Sequence, residues 1–468
     1  VIDGVIGKAG RTMRNGTHAG GITGEIAADG AALTFAKLPA DVVELAVQSI
    51  MDTLGVALAG AIAPEVELIL SLVRAEGAVA KASVIGHDTR LGLRQVALVN
   101  GIAAHALDLD DCNLTMQGHA SAVVLPVVLA LGERHRASGR DLLTAFVVGV
   151  EAGCRVGAAM APGHYDRGFH ATGTHGTIAA AAAAARLLDL DPLRTARALS
   201  LAASMAAGLK AQFGTMAKPL HAGRAAENGL FAAQLAAARV EARGDVIETE
   251  QGYAATHAPH FRPEAAAGGP PETFRIRDNL FKFHAACYGT QGVIEAAAAL
   301  RARRREVPEA IAAIEIEAAA ENAHTCAITH PQNPAEARFS MAHAAALALL
   351  GIDTADPSSF AATVAGRDDL ARLRGLTSLR FVEGWHIAES RVTLRDHDGR
   401  VDAAAAHAGR PGTDLARQRR KLEAKFESLV EALIGAARTR QVLAMIGELP
   451  NDGDAASLAA ACGSAVKR

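Results

Sequence analysis

Asp41-Val-Val-Glu-Leu-Ala-Val-Gln-Ser-Ile-Met-Asp-Thr-Leu-Gly-Val-Ala-Leu58 is the stretch whose reading decides the fold class. Val43, Val47, Ile50, Leu54 and Leu58 recur at spacings of three and four, which stacks them on one helix face. Asp41 and Glu44 stand where an N-cap and its reciprocal partner belong. Working outward, helical patterning returns over 65–74, 93–108, 120–137, 141–161, 172–188, 192–207 and 219–242. Gly86, Ser138-Gly139, Pro162-Gly163 and Gly214 separate these segments. No repeat of roughly 33–47 residues accompanies the helices, which disfavours a solenoid. The expected fold class is mainly α.

The pattern changes after Gly268-Gly269-Pro270-Pro271, read as a linker. Short β-rich runs follow at 314–316, 378–382 and 390–394, the last leading into the turn pair Asp398-Gly399. Helical patterns near 289–304 and 337–350 lie among them, so 272–410 is expected to form a smaller α+β domain. From Leu415 the helical period resumes through Leu422, Phe426, Leu429 and Leu433, a segment expected to fold back onto the first helices. The expected division is a disordered tail over 1–21, an all-α domain from 22–271 and 411–468, and the α+β domain between.

Composition narrows the function. The chain has 468 residues, half of them apolar, and a net charge of −3, so it lacks the basic field that holds nucleic acid or an anionic membrane. Abundant alanine and a single tryptophan, Trp385, favour closely packed helices. Cys112, Cys154, Cys287, Cys326 and Cys462 are scattered and unpaired by spacing, as in the reduced thiols of a cytoplasmic protein. No apolar run is read as reaching the ~20 residues that cross a bilayer. The opening stretch carries Arg11 and Arg14 without the apolar core of a secretory leader.

Four segments concentrate chemistry. His105-Ala-Leu-Asp-Leu-Asp-Asp-Cys112 closes an apolar helix and leads to Gly118-His-Ala-Ser121. His105, Asp108 and Asp111 share a face if the helix continues. Carboxylates at a helix C-terminus oppose its dipole, so a compensating charge is required. The cluster reads as a solvated helix end, an active-site carboxylate, or a magnesium site built on Asp108, Asp110 and Asp111. The second segment, Gly163-His-Tyr-Asp-Arg-Gly-Phe-His-Ala-Thr172, is a polar loop entering an alanine-rich helix whose free N–H groups attract carboxylates. In Gly214-Thr-Met-Ala-Lys-Pro-Leu-His221, Pro219 as first helical residue places Lys218 at the cap. There the helix dipole favours a neutral amine able to act as a base. Lys282, in Phe281-Lys-Phe-His-Ala-Ala-Cys287, brings a cation from the smaller domain. Each segment alone also reads as an exposed loop. Together they lack a phosphate loop, zinc spacing or a nucleophile elbow, and suit proton transfer on an anionic substrate.

These segments resemble the MmgE/PrpD family, which includes 2-methylcitrate dehydratases, cis-aconitate decarboxylases and iminodisuccinate epimerases. The resemblance runs from Phe35-Ala-Lys-Leu-Pro-Ala-Asp-Val-Val43 and Met51–Gly60 through Asn100–Asp111, Gly118–Ser121, Phe169–Thr172 and Thr215–His221. It is looser at Phe281–Cys287 and Ala337-Arg-Phe-Ser340. It implies a helical body made from both chain ends, an α+β lid, a homodimer, and an active site between the domains with no metal or organic cofactor. By motif position it implies roles for Asp108, His119, His170, Lys218 and Lys282, with Tyr165 as an acid/base tyrosine. His221 and His343 join Lys282 as expected substrate-binding residues. Three departures reshape the expected pocket. His119-Ala-Ser121 replaces His-Pro-Ser, the lid motif Phe283-His-Ala-Ala-Cys287 lacks its prolines, and His343 holds a tyrosine position.

The expected reaction removes a proton next to a carboxylate of a small di- or tricarboxylic acid. Loss of β-hydroxide makes a dehydratase of the 2-methylcitrate type, the outcome expected first; reprotonation makes an epimerase, and CO₂ loss a decarboxylase. A magnesium-dependent all-α lyase and a non-catalytic helical scaffold are the rival readings.

Overall fold

The computed structural model describes residues 21–77, 79–304 and 308–467. The tail expected over 1–21 lies, except for Gly21, outside these described residues. Helices α1 (Ile22–Ala32), α2 (Ala40–Gly60), α3 (Pro64–Glu76), α4 (Leu93–His105), α5 (Ala120–His135), α6 (Gly139–Met160), α7 (Gly163–Asp166), α8 (Ala171–Leu187), α9 (Pro192–Met205), α10 (Ala217–Ala237) and α11 (Tyr253–His257) form the helical part. Two short ladders attach to it, β1 (Ala82–Ser83) with β2 (Arg90–Leu91), and β3 (Cys112–Asn113) with β4 (Asn279–Leu280). The chain is mainly α, as its periodicity requires.

The alanine tract explains the core. Ala179–Ala185 are buried in α8, which packs against α5, α6, α9 and α10. Residues without bulk let these backbones come close, at a density larger side chains would prevent. A close approach also occurs where α4 crosses α10. A Cβ on Gly101 would stand 2.8 Å from Gly223 Cα, and one on Gly223 would stand 2.4 Å from the Leu98 carbonyl. This crossing brings the end of α4 to the start of α10.

Several expectations need correction. Helix α2 begins at Ala40 behind Pro39, so Asp41 and Glu44 make no capping pair. Asp41 instead bonds Arg277, and Glu44 accepts from Gln48 and Arg419. Helix α1 precedes the first periodicity read from the sequence; its pattern is faint because Ile22 and Ile26 are its only bulky apolar residues. Helices α2 and α6 are, by length and composition, long and apolar enough to cross a membrane, contrary to the expectation, yet both are largely buried within the fold.

Beyond residue 283 come α12 (Gln291–Arg303), β5 (Ile311–Ala319), α13 (Pro334–Arg338), α14 (Met341–Leu350), α15 (Ala362–Ala365), α16 (Asp368–Gly375), β6 (Thr377–Val382), β7 (Glu389–Asp396) and β8 (Val401–His407). The sheet order is β6-β5-β7-β8, with β5 and β6 parallel and the other pairs antiparallel. Ile316 faces Leu379 on one neighbour and Val392 on the other, and α12 covers β7 and β8. The β7–β8 hairpin turns at Gly399, whose φ of +88° suits glycine. Strand β8 contains Asp402-Ala-Ala-Ala-Ala406, a sequence that favours helix; pairing along β7 overrides that preference.

The C-terminal helices α17 (Leu415–Ile434), α18 (Ala436–Gly447) and α19 (Ala455–Cys462) return to the first helices. Helix α17 lies along α2, where Phe426 fills the space beside Gly55 and Gln418 bonds Gln48. Lys425 reaches from it to Asp52, and also donates to the Leu109 carbonyl at 2.7 Å. The end of the chain thereby supports the turn that follows α4.

Candidate active site

The turn after α4 is the centre of the site. The helix ends at His105, and Asp108 adopts φ +52°, a left-handed conformation that aspartate tolerates better than most residues. The helix therefore does not continue, and His105, Asp108 and Asp111 do not share a helical face as expected. Each points to different partners. Asp108 Oδ1 receives Lys218 Nζ at 2.7 Å and Lys282 Nζ at 2.9 Å. Lys282 also donates to the Asp108 carbonyl at 2.7 Å, so one ammonium grips both backbone and side chain of the turn.

The fold delivers each lysine by a different route. The α4–α10 crossing sets Lys218 in the first turn of α10, which begins at Ala217 rather than at Pro219. The β3–β4 ladder pairs Cys112 with Leu280. Continuing that antiparallel register carries Lys282 back alongside the 108–110 turn. These two cations supply the compensation that carboxylates beyond a helix C-terminus demand. Burial acts to raise the Asp108 pKa, but Lys218, Lys282 and the neighbouring histidines hold it well below the usual carboxylate range. The Asp108 side chain is 48% exposed and borders the cavity before it.

Asp110 and Asp111 behave differently. Asp110 is fully buried and bridges two rings, receiving His105 Nδ1 at 2.9 Å and His119 Nδ1 at 3.0 Å. Burial opposes its charge, but His105 and His119 keep it ionised, with a pKa well below the ordinary value. Asp111 accepts from Ser121 Oγ at 2.8 Å and Asn279 Nδ2 at 2.9 Å. Burial first, and then the charge of Asp52, pushes its pKa up to about 8, so at neutral pH it is a protonated acid.

His119 gains its orientation from this network. Its Nδ1 lies 2.8 Å from the Asp111 carbonyl and 3.0 Å from Asp110 Oδ2, two acceptors, so Nδ1 carries the hydrogen. Nε2, the other ring nitrogen, faces Asp108 Oδ1 at 3.9 Å. His119 is also the N-cap of α5, and its backbone N–H donates to Thr172 in the first turn of α8. The starts of α5, α8 and α10 thus converge on one place, and their free N–H groups and dipoles favour an anion there.

The remaining expected residues divide. His170, at the N-cap of α8, stacks on His105 at 5.9 Å and sits 3.0 Å from His221 through the two Nδ1 atoms. Burial, assisted by His105 and Lys218, drives the His170 pKa far down, and burial and Lys218 also lower that of His221. These rings offer hydrogen bonds rather than positive charge. Tyr165 lies on α7 with Lys210 over its ring at 3.6 Å. Burial and then the Asp108 charge raise its pKa, which keeps the phenol protonated near the same carboxylate. His343 is the exception. It is buried on α14, bonded to Arg374 at 3.1 Å and edge-on to Phe360, and none of these partners belongs to the Asp108 cluster.

A cavity of about 340 Å³ opens beside this cluster, lined among others by His105, Asp108, Thr215, Lys218, Cys287 and Arg338. His105, Asp108, Asp110 and His119 also place ligand atoms within 4.8 Å of one another, close enough to surround a cation. The donor set fits a magnesium ion poorly. Two ammonium groups already occupy the same Asp108 oxygen, Asp110 is shared by two imidazoles, and Asp111 is protonated.

Sequence reasoning saw His105, Asp110 and Asp111 within their segment without giving them separate tasks. It gave no task to Ser121, Asn279 or Arg338. Ser121 and Arg338 stood in motifs that marked them; Asn279 offered no local signal, because its partners lie 168 and 230 residues away.

Two family models match the chain, the MmgE/PrpD N-terminal domain over residues 24–266 and the MmgE/PrpD C-terminal domain over residues 284–449. The chain is similar to the cis-aconitate decarboxylase-like protein oryM of Aspergillus oryzae, 32% identical over 64% of this chain and 65% of that protein. It is also 32% identical to human cis-aconitate decarboxylase, over 56% of this chain and 55% of the relative. The cis-aconitate decarboxylase of Aspergillus terreus is again 32% identical, over 61% of each chain. The matched stretch covers less than two thirds of the length of each of these relatives.

Proposed function

The chain belongs to the MmgE/PrpD family, and from that premise and the cationic pocket we propose that it is a lyase acting on a small di- or tricarboxylate without a metal or organic cofactor. The observation that carries the reading is Asp108 held between Lys218 and Lys282, with His119 Nε2 facing it at 3.9 Å. Two fixed ammonium groups and three helix starts lower the cost of building negative charge on a carbon beside a bound carboxylate. His119 Nε2 is the general base. Tyr165 is the acid, and Lys218, bound to a carboxylate, enters as an ammonium and not as the neutral base expected from its place at a helix start.

Decarboxylation of a cis-aconitate-like tricarboxylate is the favoured outcome, because the similar proteins named above are decarboxylases. In that reaction the C–CO₂ bond breaks, its electron pair enters the neighbouring unsaturated acid, and a proton from the site completes the product. Dehydration of the 2-methylcitrate type is the second reading, favoured by the protonated Tyr165 near Asp108. There His119 takes the α-proton, and hydroxide leaves with the Tyr165 proton as water. Residues 272–410 act as a lid over the helical body in this reading, and the working unit is a homodimer.

The test is solvent deuterium exchange and product formation followed by NMR on cis-aconitate, 2-methylcitrate, citrate and iminodisuccinate. Itaconate and CO₂ from cis-aconitate support decarboxylation, water loss from 2-methylcitrate supports the second reading, and exchange with inversion on iminodisuccinate points to an epimerase. Neither exchange nor product with any of the four removes the proposal.

A further inference from the structure

Arg338 ends the short helix α13, and its carbonyl accepts from the Cys287 N–H at 2.9 Å. That bond seats it beside the Ala285–Cys287 strip, so the lid-side wall and Arg338 border the cavity that holds Asp108 and Lys218. The guanidinium is unusual among the charged groups there. Lys218 and Lys282 both have Asp108. The Arg338 Nε is buried with no hydrogen-bond partner, and among the described residues no carboxylate comes within ion-pair distance of it, although Glu65 borders the same cavity. Its burial is offset only at longer range, by the charge of Asp108.

A half-buried guanidinium with an idle N–H is unfavourable in isolation, because the donor has lost water without gaining an acceptor. An anion entering the cavity relieves that cost. The planar fork of arginine matches a carboxylate through two parallel hydrogen bonds, a fit that an ammonium lacks. The other end of the pocket already has its cations, so a ligand with one carboxylate is served there and leaves Arg338 unused.

We propose that Arg338 binds a second carboxylate of the substrate, away from the one held by Lys218 and Lys282, and so selects di- and tricarboxylates over monocarboxylates. This assignment rests on the carboxylate-lyase reading above and names the residue that sets its substrate class.

The experiment measures binding and turnover separately. Isothermal titration with propane-1,2,3-tricarboxylate, an unreactive probe, and with its monomethyl ester compares wild type, Arg338→Gln and Arg338→Lys. Arg338→Gln is expected to weaken the tricarboxylate at least about tenfold, as loss of a charge-assisted hydrogen bond implies. It should also narrow the gap between acid and ester, and raise KM more than it lowers kcat. Arg338→Lys should fall between the two. Equal affinity in wild type and Arg338→Gln overturns the assignment; if that variant does not fold, unchanged affinity in Arg338→Lys overturns it. A wild type that binds the tricarboxylate but catalyses no exchange defeats the lyase reading alone, leaving the affinities to judge Arg338. A wild type that binds no polycarboxylate defeats both.

Discussion

Two groups of histidines flank the start of α8, and their chemistry is opposite. In one, His105 and His119 share the Asp110 carboxylate, and Lys218 and Lys282 stand beside them on Asp108. In the other, His164 and His175 lie 4.0 Å apart, packed with Phe169, Tyr253 and His257. Hydroxyls serve that second group: Thr174 bonds His164 and Tyr253 bonds His175, each at 3.0 Å. Among the described residues no carboxylate pairs with these three rings. Burial, aided by His257, lowers the His164 pKa to about 3, and burial takes His175 well below its ordinary value. A buried imidazole without a carboxylate is an aromatic packing piece. The same ring with an anion on Nδ1 is held in one orientation and presents Nε2 in a fixed direction. The count of histidines is no guide to chemistry; the acceptor facing each ring is.

The comparison can be broken at several points. Lys218→Ala should lower turnover by roughly 10²-fold or more, the usual contribution of a fixed group that stabilises developing negative charge, while the melting temperature changes little. Near-normal turnover would take Lys218 out of the mechanism and leave the charged cluster without its claimed purpose.

Asp111→Asn probes protonation inside the charged cluster. The folded pKa is raised from 3.8 to about 8, so above the unfolded value the unfolded chain releases a proton that the fold retains. Asp111 therefore costs stability as pH rises between those values, by at most about 1.4 kcal/mol per pH unit. The asparagine variant should show a flatter decline in thermal stability from pH 5 to pH 8. Parallel curves for the two proteins would mean that Asp111 is not held as an acid.

His164→Phe tests the neutral cluster, with the opposite sign. Here the folded pKa is depressed from 6.5 to about 3, so the unfolded chain takes up a proton first and stability is lost as pH falls through that window. Melting curves at pH 7 and pH 5 should separate less in the variant than in wild type. An equal separation would show that His164 titrates freely.

A control lies outside both clusters. Asp41 and Arg277 pair at the surface with 43% and 42% of their side chains exposed, and Asp41→Ala should cost under about 1 kcal/mol by chemical denaturation. A larger loss would mean that the loop carrying Asn279 and Lys282 depends on that contact.

Much of the helical part was legible because buried helices repeat an apolar face. The starts and stops at Ala120–His135, Gly139–Met160 and Pro192–Met205 fall close to the expected 120–137, 141–161 and 192–207. Strands at Thr377–Val382 and Glu389–Asp396 were legible from β-rich runs. The alanine strand Val401–His407 was not, since its residues favour helix and only its partner makes it a strand. At the site, Asp108, His119, Lys218, Lys282, His170 and His221 come together around one turn, Tyr165 feels the charge of Asp108 from α7, and His343 packs elsewhere. Its place in a motif marked the segment, but the ring is turned towards Arg374 and Phe360.

What the sequence determined by itself is local: where helices run, where the chain bends, and which short segments hold groups able to move protons. Periodicity and turn chemistry act over a few residues, so they can be read in one dimension. Only the tertiary structure decided the charge states and the tautomer. Asp108 meets Lys282 across 174 positions and Asp52 meets Lys425 across 373. Whether a buried acid keeps its proton depends on such distant neighbours, because solvent exclusion and nearby charge, unlike helix propensity, are properties of a place in space.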